Sequence, residues 1–206
     1  MTELRHTGAD VRSLTDTLVA HASSHGGQLT SADLGRTLDA ADVSPTEAKK
    51  LLRMLDESYE KSAWQGPNLR GALRGVKAQA AAWRPAPGRH NIWEEVVHAA
   101  YWKYTVWRLL TGEKRGAFPE KGSNWFARPV SPTERAWKAD LAALDLQHRQ
   151  LRRAVENLSA AELGRKRRGS KRRTDTLVYG VASHDVYHTG QIQLLKRLWS
   201  DRKHLR

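Results

Sequence analysis

The helical periodicity of the apolar residues is the feature of this sequence that most constrains its fold. One stripe recurs at alternating spacings of four and three: Trp137, Leu141, Leu144, His148, Leu151, Val155 and Leu158. This spacing places every member of the stripe on one face of an α-helix, which that face can bury against other helices. No segment shows the strict alternation that is typical of a half-buried strand. The sequence therefore predicts an all-α fold.

Four long helices can be delimited from local signals. Residues 44–47 and 131–134 both read Ser-Pro-Thr-Glu, which predicts a Ser N-cap, a Pro at the first helical position and a Glu at the third. A further helix is predicted over 92–110, apolar around most of its circumference and ending at Gly112. The last helix is predicted from about 176 to 199. Four such helices indicate a four-helix bundle.

The connections and the N-terminus complete the predicted domain organisation. The helix after Ser44 is expected to break near Gly66-Pro67 and to resume through Leu69. A long connection over 113–130 is typical of either a functional lid or a crossover. Residues 1–43 suggest two further helices and are interpreted as an N-terminal helical extension packed on the bundle, which then comprises residues 44–206.

Composition narrows the class of protein. The chain has 206 residues, enough for one ordinary domain with a small appendage. No apolar run approaches the roughly 18 residues that a membrane span requires, and the N-terminus lacks the pattern of a signal peptide. We therefore expect a cytoplasmic protein without a membrane partner. The chain has no cysteine, so any metal must be bound by His, Asp or Glu.

The net charge of +13 suggests a nucleic-acid partner, but its distribution argues against a specific one. Residues 161–175 contain seven Lys or Arg against two acidic residues, in a Gly- and Ser-containing stretch that is typical of a solvated loop. Residues 1–43, which with the next helix loosely resemble a helix-turn-helix, contain three Arg against six Asp or Glu. Because DNA recognition needs cationic contacts to phosphate, we expect no specific nucleic-acid binding.

Three histidines fall on interior faces of the predicted helices. On a helical wheel of the last helix, His184 and His188 lie in the apolar sector, so each requires a buried partner. His98 lies on an interior line of the helix over 92–110. Imidazoles one turn apart can bind one ion, and a third from a neighbouring helix completes the set. From spacing alone, a metal site and a set of purely structural histidines both remain open.

Two segments of the sequence resemble the DinB-like (DinB/YfiT) superfamily. Residues 180–192 read Gly-Val-Ala-Ser-His-Asp-Val-Tyr-His-Thr-Gly-Gln-Ile and resemble the terminal-helix motif of that family. Residues 90–98 read His-Asn-Ile-Trp-Glu-Glu-Val-Val-His and look like its second helix, which carries a single ligand histidine. The similarity extends over about residues 45–200, including the stretches 64–69 and 122–126.

This resemblance implies a fold, a metal site and a range of activities. The fold is a four-helix bundle, commonly a homodimer, with one divalent ion on three histidines that map onto His98, His184 and His188. Some proteins of this type are transferases and isomerases that use low-molecular-weight thiols such as mycothiol or bacillithiol. Others have no assigned activity, and the family name implies no DNA-binding site.

Further residues are candidates for the site. Gln191, one turn beyond His188, is the candidate catalytic residue that could orient a bound water, or a residue that only makes a core hydrogen bond. The candidates for a substrate pocket are Trp102, Asn124 and Trp125, with core filling as the alternative for Trp102. Two polar residues are excluded from the metal site: His148 is interpreted as structural, and Asp185 is predicted to lie outside the buried sector of the wheel.

The resulting functional hypothesis is a metal-dependent enzyme that activates a thiol, or water, for transfer to or isomerisation of a small-molecule electrophile. Three neutral imidazoles leave the charge of the ion uncompensated and leave coordination positions open. All-imidazole ligation suits zinc, nickel, iron or copper, with a low-molecular-weight thiol as the expected cosubstrate. The alternatives are a non-catalytic metal-binding stress-response protein and, third, a non-specific nucleic-acid-binding protein that uses residues 165–173.

Overall fold

The computed structural model describes residues 45–116, 118–122 and 124–202, together with positions 16, 17, 19, 20, 22–24 and 30. Within 45–202 the helices are Pro45–Tyr59 (α1), Leu69–Ala72 (α2), Ala78–Ala82 (α3), Ile92–Thr111 (α4), Glu134–Glu156 (α5), Ala160–Leu163 (α6) and Thr174–Asp201 (α7). The described residues form no β-strand, which confirms the predicted all-α fold. Most of the predicted extension over 1–43 lies outside the described residues, as does Ser44.

The ends of α4 show why a local signal is sufficient to place a helix. The Asn91 side chain accepts a hydrogen bond from the Glu94 backbone N–H at 2.8 Å, and the Glu94 carboxylate accepts one from the Asn91 N–H. This capping box satisfies amides that the first turn leaves without intrahelical partners. At the other end, Gly112 has a φ of 78°, a left-handed conformation that glycine adopts without steric cost.

Two sequence predictions about helix boundaries are wrong. The N-cap of α5 is Thr133, whose hydroxyl accepts from the Ala136 N–H, and not Ser131. The carboxylate of Glu134 instead accepts a hydrogen bond from the Ala78 N–H at 2.8 Å, because the start of α3 lies beside it. The segment after Gly66-Pro67 is not one resumed helix but the two short helices α2 and α3, separated by Gly75 in the left-handed region.

The four long helices form a ring in which neighbours in space are not always neighbours in sequence. Helix α4 packs against α5 and α7, and α1 also packs against α5 and α7. Helices α1 and α4 are therefore diagonal to each other, and the segment with α2 and α3 carries the chain across the bundle. This arrangement surrounds α7 with α1, α2, α4 and α6, so that much of its circumference is buried.

The apolar core has two parts along the bundle. The first surrounds Trp93 and Trp137, which lie edge to face with ring centroids 5.1 Å apart, and includes Phe126 from the loop before α5. The second joins α1, α5, α6 and α7 around Leu55 and Leu151, both completely buried. Helix α4 contributes to both parts, and residues 92–100 are buried without interruption. It is therefore the central helix on which the site depends.

A polar cluster lies within this core and takes one residue from each long helix: Tyr59, Lys103, His148 and Asp185. The Lys103 ammonium and the Asp185 carboxylate form an ion pair in which both side chains are completely buried. The His148 ring stacks on Tyr59 at 3.8 Å, and its Nδ1 lies 3.4 Å from Lys103 Nζ. Asp185 was predicted to lie outside the buried sector, and that prediction is wrong because several helices surround α7.

We expect His148 to make the free energy of unfolding depend on pH. Burial, followed by the nearby Lys103 charge, lowers the pKa of His148 from 6.5 to about 2. The unfolded chain therefore takes up a proton below pH 6.5 that the folded protein does not, so stability decreases as the pH falls. Relative to wild type, His148→Gln should reduce this slope by about 1.4 kcal/mol per pH unit between pH 6 and 4.

Urea denaturation of both proteins at several pH values measures this difference directly. Contributions from other titrating groups are common to both proteins and cancel in the comparison. Parallel pH profiles for the two proteins would show that His148 does not titrate differently in the folded and unfolded states.

The basic segment between α6 and α7 is an exposed loop with partly compensated charge. The Arg167 guanidinium pairs with Glu162 at 3.1 Å, and that of Arg173 pairs with Asp175 at 2.8 Å.

Across the described part of the chain, no helix combines the length and the apolar character that crossing a bilayer requires.

Candidate metal centre

Three histidine side chains meet between α4 and α7. His98 comes from the middle of α4, and His184 and His188 lie one turn apart on α7. The Nε2 atom of His184 lies 3.0 Å from Nε2 of His98 and 2.9 Å from Nε2 of His188. We call these residues the three-histidine group. The two helices that supply them pack directly against each other, so the bundle itself sets this geometry.

The hydrogen bonds of the other ring nitrogens determine which Nε2 atoms carry lone pairs. His98 Nδ1–H donates to the Asn124 carbonyl oxygen at 2.7 Å, and His188 Nδ1–H donates to the Glu95 carboxylate. Neutral imidazole carries one proton, so Nε2 of both rings is an acceptor. His184 Nδ1 has no hydrogen-bond partner among the described residues, and its proton can reside there. Three lone pairs then converge on one point.

Such convergence is unfavourable without a cation and fits a divalent metal ion. Imidazole nitrogen binds zinc at about 2.0–2.1 Å, and two nitrogens 2.9–3.0 Å apart can both lie at that distance from one ion. The ligating atoms of all three residues lie within 4.8 Å of one another. A metal-bound histidine is usually oriented by a carbonyl or carboxylate that accepts a hydrogen bond from its other ring nitrogen, as the Nδ1–H groups of His98 and His188 find here. The residues present therefore fit a metal ion.

Burial keeps the imidazoles of His98 and His184 neutral at physiological pH. It lowers the pKa of His98 to about 4, and this effect outweighs the hydrogen bond to the Asn124 carbonyl. Burial also lowers the pKa of His184 to about 3, with the neighbouring His188 and His98 adding to the shift. Only the neutral ring can bind a metal, so both groups are in the ligating form at pH 7.

The loop before α5 holds His98 from a second direction. The indole of Trp125 stacks between the rings of His98 and His90, at centroid distances of 3.8 and 3.7 Å. Asn124 has a φ of 69°, a left-handed conformation that Asn tolerates better than most residues, and its side chain accepts a hydrogen bond from Trp102. Asn124 thus binds both an imidazole and an indole of α4.

The same loop is fastened to the bundle by Arg128. Its guanidinium pairs with Glu120 and with Asp140, the latter at 3.0 Å, and its backbone N–H donates to Glu94. The Asn91 side chain donates to the Arg128 carbonyl oxygen at 2.7 Å. Position 91 therefore caps α4 and ties the loop to it, which places the loop against His98.

A cleft of about 400 Å³ reaches the three-histidine group, because His188 and Glu95 are part of its lining. The cleft is lined by Pro85, Ala86, Arg89, His90, Glu95, Trp125, Tyr187, His188, Gln191, Leu194, Leu195 and Leu198. Of the residues singled out from the sequence, Trp125, His188 and Gln191 line this cleft. Trp102 and Asn124 lie beside the histidines but are not part of its lining.

Glu95 is a site residue that the pattern analysis did not single out. It lies three residues before His98, so both project from one side of α4, but its partner His188 is 93 residues away in sequence. The adjacent residue Glu94 carries the same side chain, but it caps the helix and binds Arg84 and the Arg128 N–H rather than a histidine of the three-histidine group. Sequence spacing could have marked the two glutamates as candidates, and only the packing of α7 distinguishes between them.

We expect loss of Glu95 to weaken metal binding without abolishing it. In Glu95→Ala the His188 ring loses the acceptor that orients it, and the affinity should fall roughly 10- to 100-fold. Glu95→Gln retains an acceptor oxygen without the charge and should fall less. Competition with a chromophoric chelator measures both affinities. An Ala variant that binds metal as tightly as wild type would rule out this role for Glu95.

Comparison with known proteins agrees with the fold and the histidine geometry. A family model described as DinB superfamily matches residues 63–192, which is more than half of the chain. The protein belongs to the DinB superfamily. Searches of curated proteins and of solved structures gave no match. The three-histidine group fits a metal-binding protein of the DinB type.

Proposed function

We propose that this protein binds a divalent ion through His98, His184 and His188 and is an enzyme that uses an external low-molecular-weight thiol. Its reaction would be transfer of the thiol to a small electrophile, or isomerisation of that electrophile. The observation that carries the proposal is the convergence of three histidine side chains beside an open cleft, in a group that includes no carboxylate from the described residues. A divalent ion bound there supplies Lewis acidity, which favours the deprotonated form of a thiol or water.

The side chains around the cleft favour a thiol over water. The carboxylate of Glu95 is occupied by His188, and Gln191 can orient a ligand but cannot accept a proton as a base. A thiol loses its proton much more easily than water does, so thiol activation at a bound ion requires less help from a protein base. The chain has no cysteine, so an external thiolate meets no internal competitor.

The same residues also define how a substrate would be held. Trp125 forms one wall beside His98, and Leu194 and Leu195 from α7 contribute an apolar surface. Apolar walls exclude water and strengthen electrostatic interactions with a bound anion. The chain thus provides three imidazole groups, an apolar wall and a route of entry for a small molecule.

The test is a screen of metal-loaded protein with mycothiol, bacillithiol and glutathione against chloro-dinitrobenzene and maleylpyruvate. We expect one thiol to give a rate that requires metal, that His184→Ala abolishes and that His148→Gln retains. Zinc, nickel and iron are loaded separately, after elemental analysis of protein purified without an affinity tag. Rates equal to those of His184→Ala with every thiol would favour the alternative, a non-catalytic metal-binding protein.

A further inference from the structure

The cleft beside the three-histidine group has one fixed positive charge. Among the described residues that line it, only Arg89 has a side chain that is always cationic, and the only carboxylate is Glu95, which is bound to His188. The Arg89 guanidinium forms no ion pair with any residue in the described part of the chain. By contrast, the nearby Arg84 is neutralised by a bidentate contact with Glu94.

The backbone of Arg89 is held in place, although its side chain is exposed. The Arg89 N–H donates to the Ala86 carbonyl oxygen at 3.2 Å, which closes a turn over residues 86–89. Its own carbonyl oxygen accepts a hydrogen bond from Arg84, the residue that also binds Glu94 at the start of α4. Gly88 in this turn has a φ of 73°, a left-handed conformation that glycine adopts without steric strain. The Arg89 guanidinium is therefore attached to a segment of backbone that hydrogen bonds hold at the edge of the cleft.

The wall supplied by the last turns of α7 is apolar. Leu194, Leu195 and Leu198 lie on neighbouring positions of the helix, and Pro85 and Ala86 also contribute aliphatic carbon. Leu194 is 51% exposed, a large apolar surface for a side chain that borders a cleft. A ligand that covered it would gain free energy from removing this surface from water.

We propose that the cleft selects a small carboxylate with an apolar body, and that Arg89 is the specificity-determining residue that binds the carboxylate. This inference rests on the proposed function, because the other end of the ligand would lie at the three-histidine group. A single guanidinium matches a single negative charge, and its planar N–H groups pair with both oxygens of a carboxylate. The volume of about 400 Å³ is in the range of sites for small molecules.

The test uses pairs of thiols that differ only in the terminal group. Calorimetry on cobalt-loaded protein compares ω-mercapto acids having two to five methylene groups with the corresponding ω-mercapto alcohols. We expect the best acid to bind about three- to ten-fold more tightly than its alcohol, a preference that added salt reduces. Arg89→Gln should abolish the preference and Arg89→Lys should retain part of it. Arg135→Gln, on the exposed face of α5, is the matched control and should leave it unchanged.

The outcomes separate this inference from the proposed function. A thiolate-to-cobalt absorption band reports whether the sulfur reaches the metal, whereas the ratio of acid to alcohol affinity reports on Arg89. If the band is absent but the acid is still preferred in an Arg89-dependent way, the thiol proposal fails and the carboxylate site stands. Equal binding of acid and alcohol at every chain length, or no binding of either, overturns the carboxylate site. A preference that survives in Arg89→Gln also overturns it.

Discussion

Replacing any one of His98, His184 and His188 by Ala will lower the affinity for a divalent ion by at least about 100-fold, more than the loss of an outer partner costs. Each variant removes one of the three convergent nitrogens, so only two imidazoles remain to bind the ion. The measurement is metal content by elemental analysis of untagged protein, followed by calorimetric titration with zinc and nickel.

His148→Gln is the matched control for these three variants. His148 is also a buried histidine of the bundle, but its partners are Tyr59 and Lys103 rather than the three-histidine group. It should retain wild-type metal affinity. Wild-type metal content in all three Ala variants would show that the three-histidine group is a structural cluster and not a metal site.

Breaking the ion pair between Lys103 and Asp185 will destabilise the fold by about 3–5 kcal/mol. Both side chains are completely buried and join α4 to α7, the two helices that supply the three histidines. Burial raises the pKa of the Asp185 carboxyl, and the Lys103 ammonium opposes this shift by favouring the charged form. In Lys103→Met, the carboxyl must either remain charged without its partner or take up a proton.

Urea denaturation of the wild-type protein, Lys103→Met and the double variant Lys103→Met/Asp185→Leu measures this effect. The double variant removes both charges and should recover most of the lost free energy of unfolding, since an apolar pair of similar volume needs no compensation. A Lys103→Met protein as stable as wild type would show that the ion pair contributes nothing net. Loss of stability that the double variant fails to recover would point to packing rather than charge.

Some of the errors of the sequence interpretation have a common physical cause. The helical wheel assigned Asp185 to the outside because it assumes one buried face, whereas α7 contacts α1, α2, α4 and α6. In the same way, Ser131 has the sequence signature of an N-cap, but Glu134 is bound by the Ala78 N–H and Thr133 caps the helix. In both cases a residue distant in sequence makes a contact that the local pattern does not show: Lys103 binds Asp185, and the Ala78 N–H binds Glu134.

The sequence alone determined those features that depend on local interactions. The stripe over 137–155, the C-cap at Gly112 and the one-turn spacing of His184 and His188 all follow from the 3.6-residue period of a helix and from the chemistry of its ends, although Leu158 lies beyond the end of α5. Together with the resemblance over the last helix, they were sufficient to predict an all-α bundle and to name three candidate ligands.

Only the tertiary structure decided how these parts meet. The pairing of Glu95 with His188, the stacking of Trp125 on His98 and the burial of Lys103 against Asp185 each join residues 27 or more positions apart, on elements whose relative placement no local pattern specifies. Such contacts depend on which helix faces which across the ring. That choice is made by the packing of whole helices, where many small apolar contacts outweigh the preference of any single residue.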